Sequence, residues 1–264
     1  MKWFGDYEKL TSDPVGAVFR REKELARLER LASDLPVSEL RKELEAWRAG
    51  EQERIRKDKE EFRFRFGTEL AKGLAEAGLE AKGQLPSVRV GMFTLKADLS
   101  AGAVALFWGP EVEKLKTGVD PEPGGLVKTV ATWTRDLKDR AMDTRLLRKR
   151  LQTAYRRCCL LKGLEPGTRV GLLDVLGEVV LELQPDSFRA DPVKKRFVEY
   201  PRVRFSYDLY RLKTSGLTGG ERRMRLHVST FDATTRRKKS LWVPDNEEGE
   251  GTWYSYLSIE EGEG

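Results

Sequence analysis

Basic side chains recur along residues 143–162 at a spacing that places them on one side of a helix. At about 100° of rotation per residue, four cations fall on one face, namely Arg145, Arg148, Lys149 and Arg156. The opposite face is apolar and comprises Leu147, Leu151, Ala154, Tyr155, Cys158 and Leu161. A row of cations can contact successive phosphates of a nucleic acid. The segment therefore predicts an amphipathic helix whose basic face is either solvated or bound to phosphate.

Two further basic clusters extend this candidate site. Lys194 and Lys195 lie in a polar stretch after Pro185, and a run of four cations separates two predicted C-terminal strands. Like charges at the tip of a hairpin repel one another and suit a polyanionic partner, although an acidic loop nearby can also neutralise them. The predicted nucleic-acid-binding residues are Arg145, Arg148, Lys149, Arg156, Lys194, Lys195, Arg236, Arg237, Lys238 and Lys239.

Catalytic and metal-binding patterns are weaker. Asp174, Glu178 and Glu182 recur every fourth residue and could hold a divalent ion for nuclease chemistry, but helix surfaces commonly carry such rows. His227 is the sole histidine, and the adjacent cysteines lack the spacing of metal ligands. Phosphate-binding and dinucleotide-binding glycine motifs do not occur. We therefore predict no catalytic residue, no metal site and no cofactor, and we favour a non-enzymatic role while leaving the enzyme question open.

Composition is compatible with a polyanionic partner without demanding one. The 264 residues include 49 Lys and Arg against 43 Asp and Glu, which gives a net charge of +6. Such a surface can attract nucleic acid, or its charges can pair with one another. Asparagine and glutamine are scarce beside Lys, Arg and Glu, which is typical of thermophiles and also of GC-rich genomes.

Cysteine usage and hydropathy indicate the compartment. Cys158 and Cys159 are adjacent on the predicted helix and cannot bridge each other, so no disulfide framework is expected. No apolar run is long enough to cross a membrane, and the N-terminal residues lack the apolar core of a signal peptide. We expect a cytoplasmic protein that does not contact a membrane.

The N-terminal part predicts a long helical hairpin. A capping motif at Ser12-Asp13-Pro14 begins one helix, and a second runs from about Ser38 to Ala81 with a polar middle at Arg48–Glu61. Little in that middle can be buried, which favours a coiled-coil-like arm over residues 1–83. Residues 14–81 would bind a protein partner or a second copy. The alternative is two ordinary helices packed on the body.

The remaining residues, 84–264, predict an α+β body with antiparallel hairpins. Strands are expected at Val88–Leu95, Ala103–Trp108, Met224–Val228, Leu241–Val243 and Trp253–Ile259, and helices from about Leu126 and over 143–162. Residues 170–183 and 201–212 fit either a helix or a strand, with the helix favoured. Three helices over 126–183 followed by a basic hairpin have the order of a winged helix, although the middle helix is long for one.

Together these patterns predict a nucleic-acid-binding accessory subunit of a multiprotein complex that processes DNA or RNA. Its basic helix face and hairpin tip would contact phosphates without sequence specificity, and its helical arm would bind a protein partner. The alternatives are a scaffold or oligomerisation protein without nucleic-acid contact, and a divalent-metal-dependent nuclease.

Overall fold

The structure is a computed structural model that describes residues 2–32, 38–217, 223–229 and 239–260. It has the predicted α+β architecture, with a long helix near the N-terminus and antiparallel strands. The chain forms two compact units. Unit 1 comprises Met1–Val90, Leu95–Leu106 and Lys114–Ala131, and unit 2 comprises Gly91–Thr94, Phe107–Glu113 and Thr132–Gly264.

Three helices open unit 1: α1 (Lys2–Leu10), α2 (Val18–Ala32) and α3 (Ser38–Glu76). The predicted long helix is confirmed, but it ends before Ala81. Gly78 adopts a φ of 69°, and the Leu79 amide donates to the Leu74 carbonyl at 2.9 Å, which closes the last turn. The chain then enters a strand that the sequence pattern did not predict.

The polar middle of α3 is partly buried, contrary to the expectation that it has little to bury. Glu51 and Ile55 are both buried. Glu51 pairs there with Arg21 of α2, which is also buried and also bonds to Asp58. The Tyr7 hydroxyl donates to Glu51 Oε1 at 2.8 Å. A buried ionic network therefore replaces the missing apolar seam.

Five strands follow α3: β1 (Ala81–Gln84), β2 (Ser87–Val90), β3 (Phe93–Asp98), β4 (Ala103–Trp108) and β5 (Glu113–Val119). They lie side by side in chain order in one sheet. The single strand predicted over Val88–Leu95 is wrong, because the chain turns at Gly91, where φ is 54°. The predicted strand Ala103–Trp108 is confirmed.

Two helices come next, α4 (Pro123–Asp139) and α5 (Thr144–Lys162). The central helix is confirmed together with its boundaries. The Asp143 side chain accepts from the Leu146 amide at 2.9 Å, and Gly163 ends the helix in the left-handed conformation. The assignment of Leu161 to the buried apolar face is wrong, since this residue is 74 % exposed. Cys159, which was not assigned to that face, is buried.

The rest of unit 2 alternates short strands and helices. In chain order it comprises β6 (Val170–Gly171), α6 (Leu172–Glu182), α7 (Asp186–Ala190), a 3-10 turn (Lys194–Arg196), α8 (Arg202–Thr214), β7 (Met224–Val228), β8 (Leu241–Pro244) and β9 (Gly251–Ile259). The helices favoured over 170–183 and 201–212 are confirmed as α6 and α8. Leu172, Val175 and Val179 of α6 are fully buried in one core with α5 and β9.

Strand β9 is the centre of the second sheet. It pairs antiparallel with β7 along one edge, and with β6 and β8 along the other. Tyr254 is opposite both Val228 and Leu241, so β7 and β8 lie on opposite sides of β9. The predicted hairpin between β7 and β8 is therefore wrong. Each of these strands pairs instead with the last strand of the chain.

The connectivity of unit 2 follows that of a winged helix, with a different set of helices from the one predicted. Once α7, the 3-10 turn and β8 are set aside, the order of the remaining elements is α5, β6, α6, α8, β7, β9, and β9 lies between β6 and β7. The first helix of the motif is thus α5, and the third is α8. Among the described residues, no helix is both long and apolar enough to cross a membrane.

Candidate nucleic-acid interface

Helix α5 presents its cations to solvent because its apolar side packs in the core of unit 2. Leu147, Leu151 and Tyr155 are buried in the core of unit 2. Arg145 and Lys149 lie on the opposite side and are exposed. The cap at Asp143 fixes where the helix begins, and therefore which residues face the core. The predicted division of this helix into an apolar and a basic side holds apart from its last turn.

A groove of about 260 Å³ runs along this basic side. Its lining consists of Arg145, Arg148, Lys149, Gln152 and Leu217. The first four side chains occupy positions i, i+3, i+4 and i+7 of α5, which is one continuous face of a helix. Leu217 comes from the segment after α8 and supplies an apolar wall. None of the lining side chains that the structure describes carries a negative charge.

Two of the groove cations lack an internal counter-ion. Neither Arg145 nor Lys149 forms a salt bridge or a side-chain hydrogen bond within the part of the chain that the structure describes. The cations on the flank of α5 that faces α6 are different. Arg157 lies 3.8 Å from Glu178, and Lys162 pairs with Asp174. The helix therefore has one neutralised flank and one flank with net positive charge.

This pairing also explains the carboxylate row of α6. Asp174 and Glu178 each neutralise a cation of α5. The structure gathers no group of three potential metal ligands among the residues that it describes. The ion pairs give Asp174 and Glu178 a structural role, whereas the buried Oε2 of Glu182 has no hydrogen-bond partner among the described residues.

The other described members of the predicted set are not among the residues that line the groove. Arg156 is exposed on α5 two turns beyond Arg148, and Lys194 and Lys195 are exposed in the 3-10 turn. Lys239 is exposed just before β8. Arg236, Arg237 and Lys238 lie outside the described residues. The structure thus unites Arg145, Arg148 and Lys149, and places the other described cations elsewhere in unit 2.

Helix α8 differs from an exposed recognition helix of a winged helix, because seven of its residues are buried and five are half-buried. Of its 13 residues, all described, only Thr214 is exposed. Ser206 is fully buried, where it accepts from Trp108 Nε1 at 3.0 Å and donates to the Trp242 carbonyl at 2.5 Å. A helix that reads bases must reach the floor of the major groove. Among the described residues, α8 therefore has no row of exposed side chains that could read bases.

A buried acid that sequence analysis missed connects α8 to the segment before α5. Asp208 is 1 % exposed. It accepts from the Tyr200 hydroxyl at 2.6 Å and from the Met142 amide at 3.1 Å. Burial raises its pKa above the ordinary value of 3.8, against the opposing effect of these hydrogen bonds and of Arg204. Burial and the neighbouring carboxylate raise the pKa of Tyr200 as well.

His227, the single histidine, has a structural environment. Its Nε2 lies 2.8 Å from the Ser258 hydroxyl across β7 and β9. Burial lowers its pKa, and the positive charges of Arg169 and Arg225 lower it further. The imidazole is half-buried between two strands, and its lowered pKa favours the neutral form near pH 7.

Two groove residues were missed for different reasons. Gln152 lies at helical spacing from Lys149, so the helix pattern could have found it. Leu217 follows α8 and reaches the groove through tertiary folding alone, which leaves no local signal. Comparisons with protein-family models, with curated sequences and with solved structures find no match to this chain.

Proposed function

We propose that the protein binds nucleic acid through phosphate contacts in the groove on α5. The observation that carries the proposal is a groove whose lining, among the described residues, has three cations and no carboxylate. Arg145 and Lys149 have no ion pair in the described part of the chain, so a phosphate need not displace an internal partner. Gln152 can add a neutral hydrogen bond to a phosphate or sugar oxygen.

The proposed binding is not specific for sequence. Phosphate contacts position a protein on nucleic acid, whereas base-edge contacts provide specificity. The helix best placed by connectivity to read bases, α8, is buried among the residues described for unit 2. This supports an electrostatic binder, which fits an accessory subunit of a complex that processes DNA or RNA in the cytoplasm.

The test uses a salt series and a matched pair of lysine variants. Lys149→Gln removes a groove cation, and Lys162→Gln removes one that already pairs with Asp174 on the other flank. Both changes keep a good helix former in α5. Fluorescence anisotropy with labelled duplex DNA, single-stranded DNA and RNA gives the affinity at each salt concentration.

We expect the logarithm of the wild-type association constant to fall linearly with the logarithm of the salt concentration, by about 0.7 to 0.9 per phosphate contact. Lys149→Gln should weaken binding uniformly across sequences and reduce that slope by about one. Lys162→Gln should behave as wild type. No binding by the wild type, or equal effects of the two variants, would refute the groove as the site.

The second part of the proposal assigns a protein contact to residues 14–81. A groove of about 420 Å³ lies between α2 and α3 within unit 1. Leu25, Ala26 and Ile55 form its apolar floor. Glu22 and Glu29 line it on α2, and Arg56 and Lys59 on α3. The rim charges are already paired within unit 1, Glu22 with Lys59 and Glu29 with Arg48, so a second, antiparallel copy would contact the groove through its apolar floor.

A further inference from the structure

The segment between α6 and α8 contains a second feature suited to nucleic acid. The Phe197 ring is 39 % exposed, directly after the 3-10 turn Lys194–Arg196. It packs edge-on against Phe188 of α7, with ring centroids 5.6 Å apart and an interplanar angle of 61°. The contact with Phe188 thus fixes the position of the ring, and more than a third of Phe197 remains open to solvent.

Hydrogen bonds hold this segment in place. Gln184 is buried, and its amide donates to the Val198 carbonyl at 3.0 Å and accepts from the Val198 amide at 2.9 Å. Arg196 pairs with Asp191 at 2.7 Å and donates to the Ser187 carbonyl at 3.2 Å. The exposed ring is therefore presented by a braced turn, which lowers the entropic cost of stacking a ligand on it.

The charges beside the ring favour an anionic ligand. Lys194 and Lys195 are exposed, and the structure describes no ion pair or side-chain hydrogen bond for either. Glu199 is the one unpaired acid described in this segment, so the two lysines leave it net positive. An exposed aromatic ring next to unpaired cations is the combination with which proteins bind single-stranded nucleic acid.

We infer that Phe197 stacks on an unpaired base while Lys194 and Lys195 contact the adjoining phosphates. This inference rests on the proposed function and refines it, because it names single-stranded DNA or RNA as the preferred ligand. Duplex bases are already stacked on one another and offer no face to the ring. The α5 groove would still bind duplex through phosphates alone.

The experiment compares full-length variants on labelled oligothymidylate and on a duplex of mixed sequence. Phe197→Leu removes the ring and keeps the apolar bulk, Phe197→Tyr keeps the ring, and Val193→Leu changes another exposed apolar side chain of the same segment. Thermal melts verify that each variant is folded. Vesicles of anionic phospholipid serve as a further probe.

We expect Phe197→Leu to weaken single-strand binding at least about fivefold and to leave duplex binding unchanged. Phe197→Tyr and Val193→Leu should bind as wild type, and the salt slope of Phe197→Leu should not change, since no phosphate contact is lost.

Three results would overturn the inference while the α5 groove stays intact. These are unaltered single-strand binding by Phe197→Leu, an equal loss on duplex and single strand, and vesicle binding that depends on Phe197 without any effect on oligothymidylate. If the wild type binds neither nucleic acid, the proposed function itself fails. That outcome is recognised without reference to the Phe197 variants.

Discussion

At the scale of single residues, the most unusual group in unit 2 is the Asp208 carboxylate. Burial costs a charged carboxylate much more than a neutral one, and only two donors compensate for it here. Its partner Tyr200 is buried as well. The pair fixes the turn at Met142, one residue before the cap of the basic helix. The stability of the groove thus depends on a group outside it.

Removing the Tyr200 hydroxyl should destabilise the protein. Tyr200→Phe leaves the buried carboxylate with one donor fewer, for a cost of about 1 to 3 kcal/mol in the free energy of unfolding. Tyr210→Phe is the matched control, since no hydrogen bond is described for its hydroxyl. Urea denaturation at pH 7 measures both. Equal stability of the two variants would contradict the role assigned to the hydroxyl.

The raised pKa of Asp208 predicts a pH dependence of known sign. The folded state holds the proton more tightly than the unfolded state, whose pKa lies near 3.8. The cost of ionisation therefore appears as the pH rises above 3.8 and is complete above the folded pKa. Asp208→Asn cannot ionise. The stability of wild type relative to Asp208→Asn should fall over this interval and then stay level, and a rise would refute the shift.

At the scale of elements, local sequence signals predicted the bounds of α5 but did not predict which residues of α3 are buried. Capping by Asp143, the glycine at 163 and the periodic apolar side all act within the helix, so its bounds could be predicted from the sequence. In α3 the buried side chains include Glu51, which pairs with Arg21 across 30 residues. A hydropathy pattern counts Glu51 and Arg21 as polar and predicts that they are exposed. Their burial is explained by the ion pair that they form in the folded protein.

The α2–α3 network should respond differently to single and paired substitution. Hydrogen bonds to Glu51 and Asp58 outweigh the effect of burial and raise the pKa of Arg21. Arg21→Met leaves the buried Glu51 with the exposed Arg54 as its one described cation, at a cost of about 3 to 5 kcal/mol. Replacing both, as Arg21→Met with Glu51→Leu, should cost clearly less. Additive losses in urea denaturation would show that the pair is not coupled.

Two glycines of adjacent helices should respond to alanine with opposite signs. Gly163 has a φ of 61° at the end of α5, so Gly163→Ala should destabilise by about 1 to 2 kcal/mol. Gly177 is inside α6 with no atom within 4 Å of an added Cβ. Gly177→Ala should therefore stabilise by about 0.5 to 1 kcal/mol. Thermal melts compare the two, and equal signs would contradict the assigned conformations.

At the scale of the whole molecule, long-range pairing escaped prediction. Val170 pairs with Leu257, and Leu257 also lies opposite Leu226. The strand segments themselves are recognisable from alternation. Their partners are not, because β7 and β8 are neighbours in the chain yet pair on opposite edges of β9. The candidate groove was likewise only partly predictable: its residues on α5 follow from the helix pattern, whereas the position of Leu217 does not.

Self-association through unit 1 predicts a specific variant effect. Ala26 is exposed in the groove between α2 and α3, so Ala26→Arg should block that groove without disturbing the core. Ala75→Arg, on an exposed site near the end of α3, is the control. Light scattering should show a dimer for wild type and Ala75→Arg, and a monomer for Ala26→Arg. A monomeric wild type would contradict self-association, and the groove between α2 and α3 would then have to bind a different protein.

The buried cysteines of α5 have one further consequence. Cys158 and Cys159 are 3 % and 4 % exposed, and burial raises the pKa of Cys158 to about 11, so the thiol is both shielded and protonated. An alkylating reagent can reach them only when the helix opens. A ligand that binds the native state suppresses this opening. The rate at which the thiols are modified would therefore report how much of the protein has bound a polyanion, without any label attached to the protein.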